Sequence, residues 1–170
     1  VAVFQDNRTD TFVFAEIAFR LAMMYNNAFI VVENNECGDT VIKRLWWDFE
    51  YENLVNEAQK VEKLGVRATK KSKPAAVMLM KKLIEEDNCI LHDKPTIKQL
   101  CSFVEEKGKL WGQDGCHDDL VTALYWCCYG FTFDLFDGDN EIIKQKEIED
   151  DAWGIIVDDI DEDSIENFWN

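Results

Sequence analysis

Acidic side chains at two places in the 170-residue sequence have the surroundings that metal chemistry asks for. Glu33 closes the apolar run Ala28 to Val32, so its carboxylate stands where a strand stops and a turn begins. In open α/β sheets functional groups gather just beyond strand ends. On its own, such a residue reads as a solvated carboxylate. His117, Asp118 and Asp119 follow the glycine at 115 and precede a strongly apolar helix. One acid is expected there from helix physics, because a first-turn aspartate satisfies unpaired amides and favours the helix dipole. Two adjacent acids exceed that need. Carboxylates from a strand end and a helix start can share Mg²⁺ or Mn²⁺, hard cations that prefer Asp and Glu oxygens to cysteine sulfur. Two such ions, roughly 3.5 to 4 Å apart, activate the attacking water and stabilise the departing oxygen in phosphodiester hydrolysis.

That chemistry also needs positive surface for phosphates. Arg67, Lys70, Lys71 and Lys73 form the densest basic group in the chain and read either as DNA contacts or as the solvated start of a helix. Beside an acidic metal site the DNA reading is preferred. The net charge of −16 argues against a polyanionic partner until its distribution is considered. Residues 134–170 carry 14 acidic residues against Lys144 and Lys146, a net −12, which leaves −4 for residues 1–133. The acidic segment, with Trp153, Phe168 and Trp169 scattered through it, reads as a solvated extension. Cys37, Cys89, Cys101, Cys116, Cys127 and Cys128 contain no Cys-x-x-Cys pair, and His92 and His117 are the only histidines, so zinc is not indicated. Several cysteines fall on apolar positions of helical patterns and read as reduced core residues. No apolar run is long enough to span a membrane and the first residues lack a signal-peptide pattern, so a soluble intracellular protein is expected.

The elements that must position these groups follow from periodicity. Val1 to Phe4 reads as a short strand that completes something begun earlier. Thr9, Asp10 or Thr11 can cap a helix with Phe14, Ile17, Ala18, Leu21, Met24 and Tyr25 on one face. Ala28 to Val32 has the composition of a central strand covered on both faces. The chain then turns through Asn34 to Gly38, and Asp39 or Thr40 caps a helix burying Ile42, Leu45, Trp46 and Phe49. Ser72 caps another, with Pro74 in its first turn and Ala76, Leu79, Met80 and Leu83 inward. Cys89 to His92 reads as a short strand, and Pro95 opens a helix with Ile97, Leu100, Cys101 and Val104 inward that Gly108 stops. A last helix follows Gly115 with Leu120, Val121, Leu124, Cys128 and Phe131 as its stripe. This alternation predicts an α/β domain with helices on both faces of a mixed sheet.

Two segments carry a family resemblance. Phe29-Ile30-Val31-Val32-Glu33-Asn34-Asn35-Glu36-Cys37-Gly38 is similar to the strand of tailed-bacteriophage large-terminase nuclease domains that delivers a second catalytic acid before a turn closed by glycine. Gly115-Cys116-His117-Asp118-Asp119-Leu120-Val121 looks like the last acidic motif of that family, and it is the most specific part of the match. Lys70-Lys71-Ser72-Lys73 and Leu91-His92-Asp93 agree in order and spacing. The resemblance covers about residues 1–133 and implies a ribonuclease-H-like fold, with 134–170 as a C-terminal extension. It implies a Mg²⁺- or Mn²⁺-dependent endonuclease, with two metals, that cuts concatemeric double-stranded DNA during genome packaging. Glu33 and Asp119 would be its metal ligands, Asp118 would assist or cap, and His117 would stand behind them. The implied partners are a terminase ATPase domain and the portal of a procapsid in the host cell cytoplasm. No Walker motif is present in the sequence itself.

The family's first catalytic aspartate belongs to a strand ahead of the position matching Val1; Asp6 and Asp10 come too late to replace it. The expectation is therefore a domain lacking its N-terminal strand or strands, with weak or no cleavage by this chain alone. Two other functions compete: a non-catalytic module of the same fold that binds DNA or a portal, and another ribonuclease-H-like nuclease such as a junction resolvase.

Overall fold

A computed structural model of the chain describes residues 2–56, 64–106 and 108–133. It divides into two compact units, Val1–Ala68 and Thr69–Asn170. The acidic extension expected at 134–170 lies outside the described residues.

In the first unit, helix α1 spans Thr11–Met24 and is capped by Asp10, whose carboxylate accepts from Phe12 N at 2.8 Å. Its inward positions are Ala15, Phe19 and Ala22, one above the other at helical spacing. This corrects the expected face: Phe14, Met24 and Tyr25 are largely exposed. The helix is apolar nearly all round, so periodicity cannot choose its buried side. Residues 2–4 form no strand, and Val3 and Phe4 are largely exposed, with the Phe4 ring 6.1 Å from that of Phe14.

Helix α2, Glu36–Lys43, begins four to five residues earlier than expected and is capped by Asn35 rather than Asp39 or Thr40. A π-helical turn, Arg44–Asp48, continues it. Ile42 and Leu45 are buried as expected, and Trp46 and Phe49 pack against the same core. Phe19 stacks on Phe49 with centroids 4.7 Å apart and meets the Tyr51 ring edge-on. The Arg44 guanidinium lies over the Phe12 and Phe49 rings and is paired with Asp48.

The run Ala28 to Val32, expected to be a central strand covered on both faces, is instead an extended segment with Phe29 exposed and its other residues half-buried. With Glu33 it meets two other segments through single parallel bridges, Ile30 with Leu54 and Glu33 with Val66, and Asn56 bridges Gly65 in the same sense. Backbone bonds from Ile30 N to Asn53 O and from Val66 N to Val32 O hold these contacts.

In the second unit, helix α3 spans Ser72–Glu85 and buries Ala75, Ala76, Val77, Leu79 and Met80. Ser72 is not its cap. The Thr69 hydroxyl accepts from Ser72 N at 2.9 Å while the Ser72 hydroxyl accepts from Thr69 N, a reciprocal lock that buries Ser72. Cys89 to His92 is not a strand, because Asn88 N and Cys89 N both close back on Leu83 O as the exit of α3.

Helix α4 is short, Lys94–Cys101, with Asp93 as its cap and Pro95 in its first turn. Ser102 ends it by bonding back to Gln99 O, so Val104 belongs to a strand and not to this helix. Ile97 and Cys101 are exposed, against expectation, and Thr96 is buried. Strands β1 (Phe103–Glu106) and β2 (Lys109–Gly112) form an antiparallel hairpin, with Phe103 opposite Gly112. Sequence reading missed this hairpin by running the helix on to Gly108. Helix α5, Asp119–Gly130, buries Leu120, Val121, Tyr125, Trp126, Cys128 and Tyr129. Leu120, Val121 and Cys128 are buried as expected, while Tyr125, Trp126 and Tyr129 fill the rest of the stripe, Leu124 is half-buried and Phe131 is exposed.

All six cysteines are free, but Cys37, Cys101, Cys116 and Cys127 are exposed, so they are not core residues. Cys128 is buried, and desolvation pushes its thiol up to about 12. Among the described residues no helix is long and apolar enough to cross a membrane.

Candidate functional site

Glu33 is half-buried at the end of the extended segment, and its backbone is held on two sides. Asn34 N donates to Val66 O at 2.6 Å, and the Asn34 side chain donates to Leu64 O at 3.1 Å. Asn35 N turns back to Glu33 O at 2.9 Å, and the Asn35 side chain accepts from Gly38 N at 2.8 Å. The chain therefore leaves the extended segment and starts α2 within three residues. Gly38 makes that possible, because a Cβ there would stand 1.9 Å from Glu33 O. Gly65 does the same for the preceding carbonyl: it has φ +84°, and a Cβ would lie 2.5 Å from Val32 O. The two glycines let neighbouring backbone close tightly around the position that carries the carboxylate.

Asp118 and Asp119 are placed by a different device in the second unit. Asp118 stands just before α5 with φ −128°, ψ 13°, and its side chain makes no capping bond to that helix. Its Oδ2 accepts instead from Gly112 N at 3.2 Å, at the end of β2. The amide of Leu120 is taken by Gln99 Oε1 of α4 at 2.8 Å. Asp119, the first residue of α5, is exposed and has His117 Nδ1 3.8 Å from its Oδ2. At that separation and exposure the pair is a weak surface contact. The expectation that one aspartate caps α5 through its side chain is thus replaced: Asp118 has the position of a cap, and Gln99 does the bonding.

The basic residues divide as well. Arg67 is exposed at the end of the first unit, and Lys70 and Lys71 are exposed in the turn before α3. Lys73 is half-buried, with its ammonium 5.8 Å from the centroid of the Tyr125 ring in α5. His92 is exposed, and Asp93 spends its carboxylate on Thr96 N and Oγ1 at 2.8 and 2.7 Å.

Glu33 belongs to the first unit, and His117, Asp118 and Asp119 to the second. Within neither unit do three His, Cys, Asp or Glu side chains among the described residues stand together as a metal-holding group. The chemistry of the donors suits a hard divalent ion, since every candidate offers carboxylate oxygen and Asp119 offers it from an exposed side chain. Sequence reading missed Gln99, Gly112 and Gly65. Gln99 has no sequence signal, because a glutamine on a short helix looks like surface. Gly65 could have been found as a glycine next to a strand-forming valine.

Residues 1–128 match the model of a protein family described as the terminase RNaseH-like domain.

Proposed function

The chain belongs to the terminase RNaseH-like domain family, and from that premise we propose that it is a Mg²⁺- or Mn²⁺-dependent endonuclease domain that cuts concatemeric double-stranded DNA as a viral genome is packaged. The observation that carries this reading is the arrangement at Asp118 and Asp119. The first is tied to a backbone amide of the hairpin and the second is left exposed at a helix start, where a cation and a phosphate can reach it. The fold we infer is a mixed sheet with helices on both faces. Residues 1–133 would be the nuclease domain and 134–170 an acidic extension.

Glu33 and Asp119 are the proposed metal ligands, with Asp118, bonded to Gly112 N, assisting and His117 standing beside Asp119. Bound divalent ions would supply Lewis acidity and a more acidic water at the scissile phosphate. The fold fixes the backbone that carries each carboxylate: Glu33 through the close approaches at Gly38 and Gly65, Asp119 through the first turn of α5. Lys70 and Lys71, with Arg67 and Lys73, are the proposed phosphate contacts; Lys70 and Lys71 are the exposed pair in the second unit. The terminase ATPase domain and portal are proposed partners, and the procapsid in the host cytoplasm the place of action.

The test is plasmid cleavage with Mn²⁺ by the protein that contains this domain. Glu33→Ala and Asp119→Ala should each lower cleavage by at least about 100-fold, the scale of losing a metal ligand or its support. Cleavage surviving in both variants sinks the assignment. DNA binding that persists in a metal-loaded protein without any cleavage points to the non-catalytic docking module.

A further inference from the structure

An α-helix begins with backbone amides that have no partner inside the helix. In α5 the amide of Leu120, its second residue, would ordinarily be taken by the side chain of the residue before the helix, and Asp118 is one of the best residue types for that task. Here the Asp118 carboxylate is turned to Gly112 N instead, 3.2 Å away. Leu120 is buried, and its amide donates to Gln99 Oε1 at 2.8 Å, a partner 21 positions earlier in the chain. The start of α5 is thus capped from α4, across the hairpin that joins them.

We propose that Gln99 is a positioning residue for the acid pair: by capping α5 from outside, it releases Asp118 from capping and fixes the directions in which Asp118 and Asp119 present their oxygens to a divalent cation. This rests on the reading of Asp119 as a metal ligand. The competing state is written into the local sequence. Without an acceptor at position 99, the buried Leu120 amide would be unsatisfied, which is costly. Asp118 is the nearest replacement. Its carboxylate would leave Gly112 N and turn onto the helix, and the first turn carrying Asp119 would shift with it. A glutamine suits the role because its amide oxygen accepts the bond without adding negative charge beside Asp118 and Asp119.

The experiment is calorimetric titration of Mn²⁺ into the 170-residue chain and into Gln99→Met, Gln99→Glu and Asp119→Asn variants, with thermal unfolding recorded for each. Asp119→Asn should lose binding. Gln99→Met, folded at the assay temperature, should bind about 10- to 100-fold more weakly, the usual consequence of removing a group that orients a metal ligand. Gln99→Glu restores the acceptor and should bind at least as well as the parent, with the Leu120 amide equally protected from hydrogen exchange. Parent-level affinity in Gln99→Met combined with loss in Asp119→Asn overturns the positioning role and leaves the metal reading standing. A parent that takes up no Mn²⁺, or an Asp119→Asn variant that binds like the parent, overturns the metal reading and the role of Gln99 together. If Gln99→Met does not fold, Gln99→Glu decides, and weakened binding in that variant overturns the proposal.

Discussion

Asp93 is the most heavily used carboxylate in the second unit, and its use has a pH signature. The Thr96 hydroxyl and then the Thr96 amide hold its carboxyl below the ordinary value of 3.8. A depressed folded value means that the cap contributes its full stability above the unfolded value and loses it as pH falls through the folded one. An NMR titration of the Asp93 carboxyl should therefore show a midpoint below 3.8, and Asp93→Asn, which keeps an acceptor but cannot titrate, should lose this part of the acid sensitivity. A midpoint at or above the ordinary value would contradict the cap. Residue types of this kind were legible. Asp10 was among the caps named for α1, and Glu33 and the His-Asp-Asp run were singled out by position alone. The direction of the Asp118 side chain was not legible, because helix propensity favours a local cap and only the hairpin amide and Gln99 overrule it.

At the scale of elements, the turn from the Glu33 segment into α2 gives the sharpest expectation. Alanine is normally better than glycine inside a helix by about 1 kcal/mol. At position 38, in the first turn of α2, that gain meets a 1.9 Å approach to Glu33 O, and overlap of this kind costs about 3 kcal/mol when the backbone must move. The clash should win. Gly38→Ala should lower stability in urea unfolding by about 2 kcal/mol, the difference of those terms, and weaken any function that depends on Glu33. A variant as stable as the parent would show that the turn has room that this geometry denies. The helices themselves were legible from periodicity, although Asn35 caps α2 in place of Asp39 or Thr40, Ser72 is not the cap of α3, and Asp118 makes no side-chain cap on α5. What failed was the choice of face in α1, where apolar residues run almost round the helix. The hairpin was lost because Phe103 and Val104 continue an apolar pattern, and only Ser102 marks the end of α4.

For the molecule as a whole, charge is the property that most constrains a DNA partner. The −16 total is concentrated in residues 134–170, and Arg67, Lys70 and Lys71 are exposed cations close together in the sequence of the body. Binding to duplex DNA should weaken as salt rises. Each lysine that contacts a phosphate contributes about 0.9 to the slope of log affinity against log salt. The Lys70→Ala, Lys71→Ala double variant should reduce that slope by about 2 if both make contact. An unchanged slope assigns the phosphate contacts elsewhere. The mixed sheet expected from the sequence rested on alternation of elements, a pattern that does not specify which strands pair.

The two devices that orient the acids also differ in how quickly a folding chain can assemble them. Asp118 reaches Gly112 only six positions away, and Gln99 reaches Leu120 across 21, through a hairpin that closes locally. Glu33 depends on partners some 30 positions along the chain, as the Asn34 to Leu64 bond shows. Loop closure costs more for the longer separation and slows pairing. The bonds at the start of α5 should therefore form before the backbone around Glu33 closes.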